Sequence, residues 1–229
     1  MVHFTLFGIP VYIRPSFWVV LAIFGGALSI SSVEDLIYPA LFVIAGFVAI
    51  LSHEMGHALV GRKLGGGQQT IVLELFGGLT SSHGMQLTRG GRALMILAGP
   101  MMTLLLGIIS LGLTWNIVAP VMTSYNLNFW DLAISPFTAA LISPKLYILS
   151  CLIMIGEWWT ILNLLPIYPL DGGQLIAQYI RSPRKVFMTG FITAILIGLL
   201  SFQLFHGYFI PIFMALFAYS NYRCLLYTS

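Results

Sequence analysis

Two histidines stand four residues apart in this sequence, and a glutamate follows the first of them: His53, Glu54 and His57. On an α-helix, positions i and i+4 lie on one face, so both imidazoles can bind a single metal ion. Glu54 falls beside them and can accept a proton from an attacking water molecule. The segment therefore predicts a helix that carries the groups for metal-assisted hydrolysis.

The surroundings of this segment argue against a chance match. In a chance match the histidines would only be hydrogen-bonded within a helix bundle. Here three ionisable groups fall in a five-residue segment inside a long apolar stretch. Each of them costs roughly 2.5–3.5 kcal/mol when it faces lipid uncompensated. A bound metal ion supplies the compensation, so the metal interpretation is favoured.

A second polar segment, Asn163 to Gly173, offers a third metal ligand. A catalytic zinc usually has three protein ligands and one open position, and Asp171 is the best candidate for the third. Pro166 and Pro169 should break a helix at membrane depth, and Gly172-Gly173 should permit a tight turn beyond it. Broken backbone at that depth is tolerated only inside protein or beside a water-filled cavity. The alternative is a polar turn at the membrane surface.

The composition predicts that these segments lie in a membrane. Of the 229 residues, 59% are hydrophobic and only 7% are charged, whereas soluble domains carry about 25% charged residues. The net charge of +3 is too small to indicate nucleic-acid binding. The two cysteines, Cys151 and Cys224, are too few and too far apart for a disulfide framework or a thiolate zinc site. The lipid bilayer is the expected environment.

Six apolar stretches are candidates for crossing the bilayer, which takes about 20 residues of helix. They cover residues 16–31, 37–61, 93–118, 146–168, 186–205 and 208–227. The segment 119–145, with Phe129 and Trp130, should be a long loop at the membrane interface. The expected fold is an all-α membrane protein: a six-span polytopic helical bundle with a small membrane-associated β-sheet, in one domain over residues 1–229.

The sheet is expected from two segments outside the spans. The segment from Thr70 to Phe76 contains β-branched residues in an alternating pattern, and Gly77-Gly78 follows it. This pattern predicts a strand followed by a hairpin turn. Residues 4–13 show a weaker strand pattern, in which Pro10 restricts the segment to an edge or a bend.

Basic residues predict the orientation. If the six spans cross alternately, nine of the ten basic residues fall on one side and only Lys145 falls on the other, with Glu34, Asp35 and Asp131. The positive-inside rule makes the basic side cytoplasmic, so both termini should be cytoplasmic. The nine are Arg14, Arg62, Lys63, Arg89, Arg92, Arg181, Arg184, Lys185 and Arg223.

Together these motifs resemble the site-2 protease family of intramembrane zinc metalloproteases, in the compact form without an inserted PDZ domain or a CBS module. The resemblance covers nearly the whole chain. It is carried in order by Phe7-Gly8-Ile9-Pro10, His53 to His57, Phe76-Gly77-Gly78, Ala98-Gly99-Pro100, and Asn163 to Gly173. The chain departs from the family pattern at Thr103, where an asparagine is frequent.

The resemblance implies that His53, His57 and Asp171 bind one Zn²⁺ per chain and that Glu54 is the general base. Asn163 would line the substrate site. The family resemblance also implies a water channel from the cytoplasm and gating by the fifth and sixth spans.

The substrate implied is a single-span membrane protein, cut within or near its transmembrane segment in regulated intramembrane proteolysis. A prokaryotic plasma membrane is expected, and the oligomeric state is left open. Because a substrate helix must unwind before attack, we expect residues 70–76 to pair with the unwound peptide through main-chain hydrogen bonds. The alternative is a hairpin that only packs the bundle.

Two other functions fit parts of the sequence. A membrane metal-ion transporter could use the same His and Asp residues as a transit site, although it would not need Glu54 and would normally show internal symmetry. A regulatory membrane protein that has lost catalysis is the other alternative, and the intact set of four site residues disfavours it. Glu157, inside the fourth span, either lines the active-site cavity or contacts the interfacial loop. His83 and His206 are expected to be hydrogen-bonded or solvated.

Overall fold

The computed structural model describes residues 1–75, 77–125 and 135–228. It divides into two compact units, Met1–Thr160 and Ile161–Ser229. Phe76 and the predicted interfacial aromatics Phe129 and Trp130 lie outside the described residues, as does Asp131.

The first unit begins with a four-stranded sheet in the order β1-β2-β3-β4. The antiparallel pair β1 and β2 is joined at Phe7 and Gly8, both with positive φ (51° and 75°), as a two-residue turn of type I′ requires. β2 and β3 are parallel, and β3 and β4 are antiparallel. The strands are β1 Val2–Leu6, β2 Ile9–Ile13, β3 Gln68–Glu74 and β4 Gly77–His83.

The predicted edge or bend for residues 4–13 is confirmed in part, since the chain turns at Phe7-Gly8 and β1 is an edge strand. Pro10 itself lies in the inner strand β2, one residue before the parallel ladder with β3 begins at Val11. One detail of the predicted sheet is wrong. Gly77 and Gly78 lie in β4 and not in a turn. Gly77 has a φ of 122°, which favours glycine, and a Cβ there would also lie 2.6 Å from the Trp159 ring.

Two helices of the first unit, the first and second in chain order, pack on this sheet. Ile71 and Leu73 of β3 point into a core that also contains Met55 and Ala58 of α2. α2 ends where Gly66, with φ 65°, donates its N–H to the Arg62 carbonyl. The helices are α1 Pro15–Phe24, α2 Ile37–Gly65, α3 Arg89–Tyr125, α4 Pro136–Ala140 and α5 Pro144–Asn163, whose last three residues belong to the second unit.

The second unit consists of the end of α5, an irregular connection and three helices. α5 ends at Asn163, five residues earlier than the predicted span, and the break before Pro166 and Pro169 is confirmed. Its core contains Ile167 from the connection together with Ala194 of α7 and Met214 of α8. The helices are α6 Asp171–Tyr179, α7 Pro183–Phe205 and α8 Phe209–Leu226.

Each of the six apolar stretches contains a helix, but the helices differ in length. Among the described residues, four helical segments are long and apolar enough to cross a membrane: Glu34–Gly65, Arg89–Ile117, Pro144–Asn163 and Pro183–Leu204. Pro15–Phe24 and Ile210–Leu226 are apolar but shorter. The third helix runs to Tyr125, so the first part of the predicted 119–145 loop is helical. The predicted mostly helical membrane fold with a small sheet is confirmed.

Candidate metal and catalytic site

α2 carries the first three predicted site residues, as their spacing predicted. His53 and His57 are one helical turn apart, and both are buried together with Glu54. Ionisable side chains are rarely buried in a membrane helix without a partner or a metal. The segment lies next to α3, against which α2 packs closely because Gly56 has no side chain: a Cβ there would overlap the Ala98 carbonyl.

The two imidazoles converge on one point. The Nε2 atoms of His53 and His57 are 3.1 Å apart. Two nitrogens bound to one tetrahedral zinc ion would be separated by roughly 3.3 Å, given Zn–N bonds of about 2.0–2.1 Å. The observed separation therefore suits a pair of ligands to a single ion.

A backbone carbonyl fixes the orientation of the second imidazole. Nδ1 of His57 is 2.8 Å from the Met95 carbonyl oxygen. Because a carbonyl can only accept, Nδ1 must donate its hydrogen, which leaves the Nε2 lone pair facing His53. This is the second contact typical of a metal-binding histidine.

Gly99 of α3 lies directly beside these nitrogens. A Cβ at this position of α3 would overlap Nε2 of His57 and lie 2.9 Å from Nε2 of His53. The absent side chain therefore lets the two imidazoles lie against the α3 backbone at the point where they converge. The Ala98-Gly99-Pro100 motif gains a physical role from this contact.

Residues of β4 contact the Glu54 side chain. The Thr80 hydroxyl of β4 lies 2.7 Å from Oε2 of Glu54 and 3.1 Å from the Glu54 backbone oxygen. A Cβ on Gly78 would overlap the Glu54 side chain. The general base predicted from the sequence is thus packed against β4.

The second unit carries Asp171 and Asn163, both buried. Asp171 is the first residue of α6, where the helix N-terminus favours a negative charge. Gly172 and Gly173 lie in the first turn of that helix, so the predicted tight turn is wrong. A Cβ on Gly172 would overlap the carbonyl oxygens of Leu164 and Leu165, which shows that the two glycines allow α6 to pack on the connection.

An asparagine that the sequence analysis missed anchors this connection. Asn221 of α8 is buried, and its Nδ2 donates to the Tyr168 carbonyl at 2.6 Å and to the Phe217 carbonyl at 2.9 Å. Gln174 donates to the Pro169 carbonyl at 2.9 Å. An asparagine in an apolar span was the signal available in the sequence, because such residues usually bond across helices.

Two further polar residues lie elsewhere in the first unit. Thr103 bonds the Thr160 hydroxyl at 2.9 Å, which ties α3 to α5. Glu157 is exposed on α5 and lines a groove with residues of α3, namely Leu104, Gly107, Ile108 and Leu111.

Comparisons with known proteins agree with this picture. A family model described as peptidase family M50 matches residues 41–205. A zinc metalloprotease of Methanocaldococcus jannaschii is 29% identical over 227 residues, 94% of this chain and 57% of the relative. A relative from Synechocystis sp., whose name gives the zinc metalloprotease assignment as provisional, is 28% identical over 188 residues, 77% of this chain and 43% of the relative. The chain thus spans about half the length of these curated relatives.

One solved structure has the same fold. The site-2 protease from Methanocaldococcus jannaschii matches with a TM-score of 0.61 at 24% identity, covering 98% of this chain and 94% of that chain. At this identity the likeness shows the fold alone.

Proposed function

Because the chain belongs to peptidase family M50, we propose that it is an intramembrane zinc metalloprotease that cuts a single-span membrane protein within or near its transmembrane segment. The predicted family, the metalloprotease class and zinc as the metal are confirmed by the comparisons. The observation that carries the proposal is the buried pair of Nε2 atoms, 3.1 Å apart, beside the buried Glu54.

The ligand set we propose is His53, His57 and Asp171. Each offers one buried ligand atom, an imidazole nitrogen or a carboxylate oxygen, and these are donor types that zinc prefers. The separation of the convergent Nε2 atoms fits a shared zinc ion. A bound zinc ion supplies a Lewis acid for the scissile carbonyl and makes water more acidic.

The remaining chemistry comes from this chain's own side chains. Glu54 accepts the proton of the attacking water and passes it to the leaving amine. Asn163, at the buried end of α5, is proposed to contact the peptide. The membrane span around the site keeps bulk water away, which strengthens the electrostatic contacts within it.

The sheet is proposed to hold the unwound substrate. β3 is paired on both edges, by β2 and by β4, so the predicted pairing of residues 70–76 with the peptide is wrong. Within the described chain the edge strand that contacts Glu54 is β4, and an added strand there would bring a peptide close to the base.

A crosslinking experiment tests the β4 edge. With Cys151 and Cys224 replaced by serine, a cysteine at Leu79 of β4 should form a disulfide with a cysteine near the cut site of the substrate. A cysteine at Val2 of β1, the other edge strand, is the control and should not. Equal crosslinking from both edges would contradict the proposal.

The wider setting is proposed from the sequence pattern. We propose that all six apolar helices span a prokaryotic plasma membrane, with both termini cytoplasmic, and that residues 1–229 form one protease domain. The two short helices would then need help from their neighbours or from local thinning of the bilayer. The metal-transporter alternative is not favoured by the family match.

Zinc content tests the site without a known substrate. Wild type and Glu54→Gln should each hold about one zinc ion per chain, whereas His57→Ala and Asp171→Ala should lose most of it. His83→Ala is the matched control and should keep the metal. If Glu54→Gln also loses zinc, then Glu54 is a ligand and its role as the base is wrong.

Proteolysis tests the activity itself. The wild type in proteoliposomes should cut at least one member of a panel of single-span model proteins that carry helix-loosening Asn, Gly or Pro residues in the span. Glu54→Gln should cut none. A panel member cut equally by Glu54→Gln and by the wild type would refute the mechanism.

A further inference from the structure

β4 presents small side chains to α2 at alternate positions. In the antiparallel register Gly78 lies opposite Leu73, Thr80 opposite Ile71 and Ser82 opposite Gln69. Those three partners in β3 are all buried, so the β4 residues point to the same side of the sheet. Small residues at these positions allow the β4 backbone to lie close to Glu54, and only Thr80 among them reaches the carboxylate by a hydrogen bond within the described residues.

The hydroxyl of Thr80 has one hydrogen to donate and two acceptors within reach. Oε2 of Glu54 is at 2.7 Å, and the Glu54 backbone oxygen is at 3.1 Å. The carboxylate is the nearer and the charged acceptor, and hydrogen bonds to charged groups are roughly twice as strong as neutral ones. The backbone oxygen is therefore the weaker of the two contacts.

We infer that Thr80 is a positioning residue for the general base: its hydroxyl holds one carboxylate oxygen of Glu54 and leaves the other free to accept the proton. The inference rests on the proposed function, because it assigns a role relative to Glu54 as the base. Gly78 completes the arrangement, since any side chain there would occupy the space of the Glu54 carboxylate.

This arrangement links substrate binding to catalysis. β4 is the strand on which we propose that the peptide pairs, and the same strand carries the hydroxyl that orients the base. A peptide that pairs in the correct register would hold β4 in place and therefore hold Thr80 against Glu54. Thr80 itself need not contact the peptide, because its side chain points to α2.

Kinetics of three variants test the inference. Thr80→Val removes the hydroxyl and preserves the shape of the side chain, and it should lower kcat by about 10- to 100-fold with little change in KM, the range found for outer partners of metal-site residues. Thr80→Ser restores the hydroxyl and should recover most of the lost kcat. Thr70→Val is the matched control: Thr70 is on the neighbouring strand, and its side chain points to the opposite side of the sheet from the buried Ile71.

Stability of the zinc-free protein supplies a readout that does not depend on activity. Thr80→Val should lower the Tm of the wild type, and it should lower the Tm of the Glu54→Ala variant much less, because the carboxylate that Thr80 binds is then absent. A double-mutant cycle measures this difference directly. Zinc per chain should stay at the wild-type value in Thr80→Val and Thr80→Ser.

Three results would overturn the inference. One is a Thr80→Val enzyme with wild-type kcat. Another is a loss that appears only in KM, which would assign Thr80 to peptide binding. The third is a double-mutant cycle in which Thr80→Val lowers the Tm of Glu54→Ala by as much as it lowers the Tm of the wild type. A wild type that binds zinc but cuts no panel member would instead refute the proposed function, and the Tm cycle would still test the contact itself.

Discussion

A single methyl group at Gly99 should empty the proposed zinc site. A Cβ at this position would lie 2.9 Å from Nε2 of His53, and ordinary contacts of a Cβ begin at 3.4 Å, so this nitrogen would have to shift by 3.4 − 2.9 = 0.5 Å. Nε2 of His57 would have to shift further, because the overlap there is closer. Zinc–ligand distances tolerate deviations of only about 0.2 Å. Gly99→Ala should therefore abolish stoichiometric zinc binding.

The assay is zinc per chain after purification, followed by a competition with a chromophoric chelator. Gly112→Ala is the matched control, because it is the same change in the same helix and a Cβ at Gly112 meets nothing within 4 Å. That control should keep zinc and should not lower the Tm, since alanine favours a helix over glycine by about 1 kcal/mol. A Gly99→Ala protein that is folded and binds zinc as tightly as the wild type would refute the claim that the ion lies beside Gly99.

The other predictions concern side chains farther from the imidazoles. Asn221→Leu removes the hydrogen bond from a buried side chain to the Tyr168 carbonyl and should cost about 1 kcal/mol of stability, measured by thermal unfolding. It should also weaken zinc binding by loosening the connection before Asp171. Asn116→Leu, on the exposed surface of α3, is its control and should change stability by less than about 0.5 kcal/mol; equal effects would contradict a special role for Asn221. Glu157→Gln should keep both zinc and kcat, because the groove around Glu157 begins at Leu104, five residues or about 8 Å along α3 from Gly99. A loss of zinc in Glu157→Gln would place that carboxylate in the site.

The helix that carries both histidines could be predicted because its signal is local. The spacing of His53 and His57 puts both side chains on one face of any helix, and α2 is helical throughout this segment. The break before Asp171 was equally local, since proline cannot continue a helix interior. Thr80 and Met95 could not be predicted. Their roles depend on how β4 and α3 pack against α2, which no spacing within one segment specifies.

Glycine shows most clearly why the rest could not be predicted. A glycine pair in a sequence can signal a turn, because glycine tolerates positive φ, or a close contact, because it lacks a side chain. Gly77-Gly78 and Gly172-Gly173 were both expected to form turns, and both instead belong to regular elements, although Gly77 also has a positive φ of 122°. Their absent side chains admit a tryptophan ring, a carboxylate and two backbone carbonyls.

The same property explains how polar groups can be buried in this protein. Gly56 and Gly99 allow α3 to lie against the histidine face of α2, and Gly78 allows β4 to lie against Glu54. Each close approach brings a polar partner within hydrogen-bonding distance: the Met95 carbonyl reaches His57, and the Thr80 hydroxyl reaches Glu54. An unpartnered polar group in a membrane interior costs several kcal/mol. The small residues are therefore a condition for burying the proposed site, because a larger side chain at any of them would separate an ionisable group from the partner that compensates its burial.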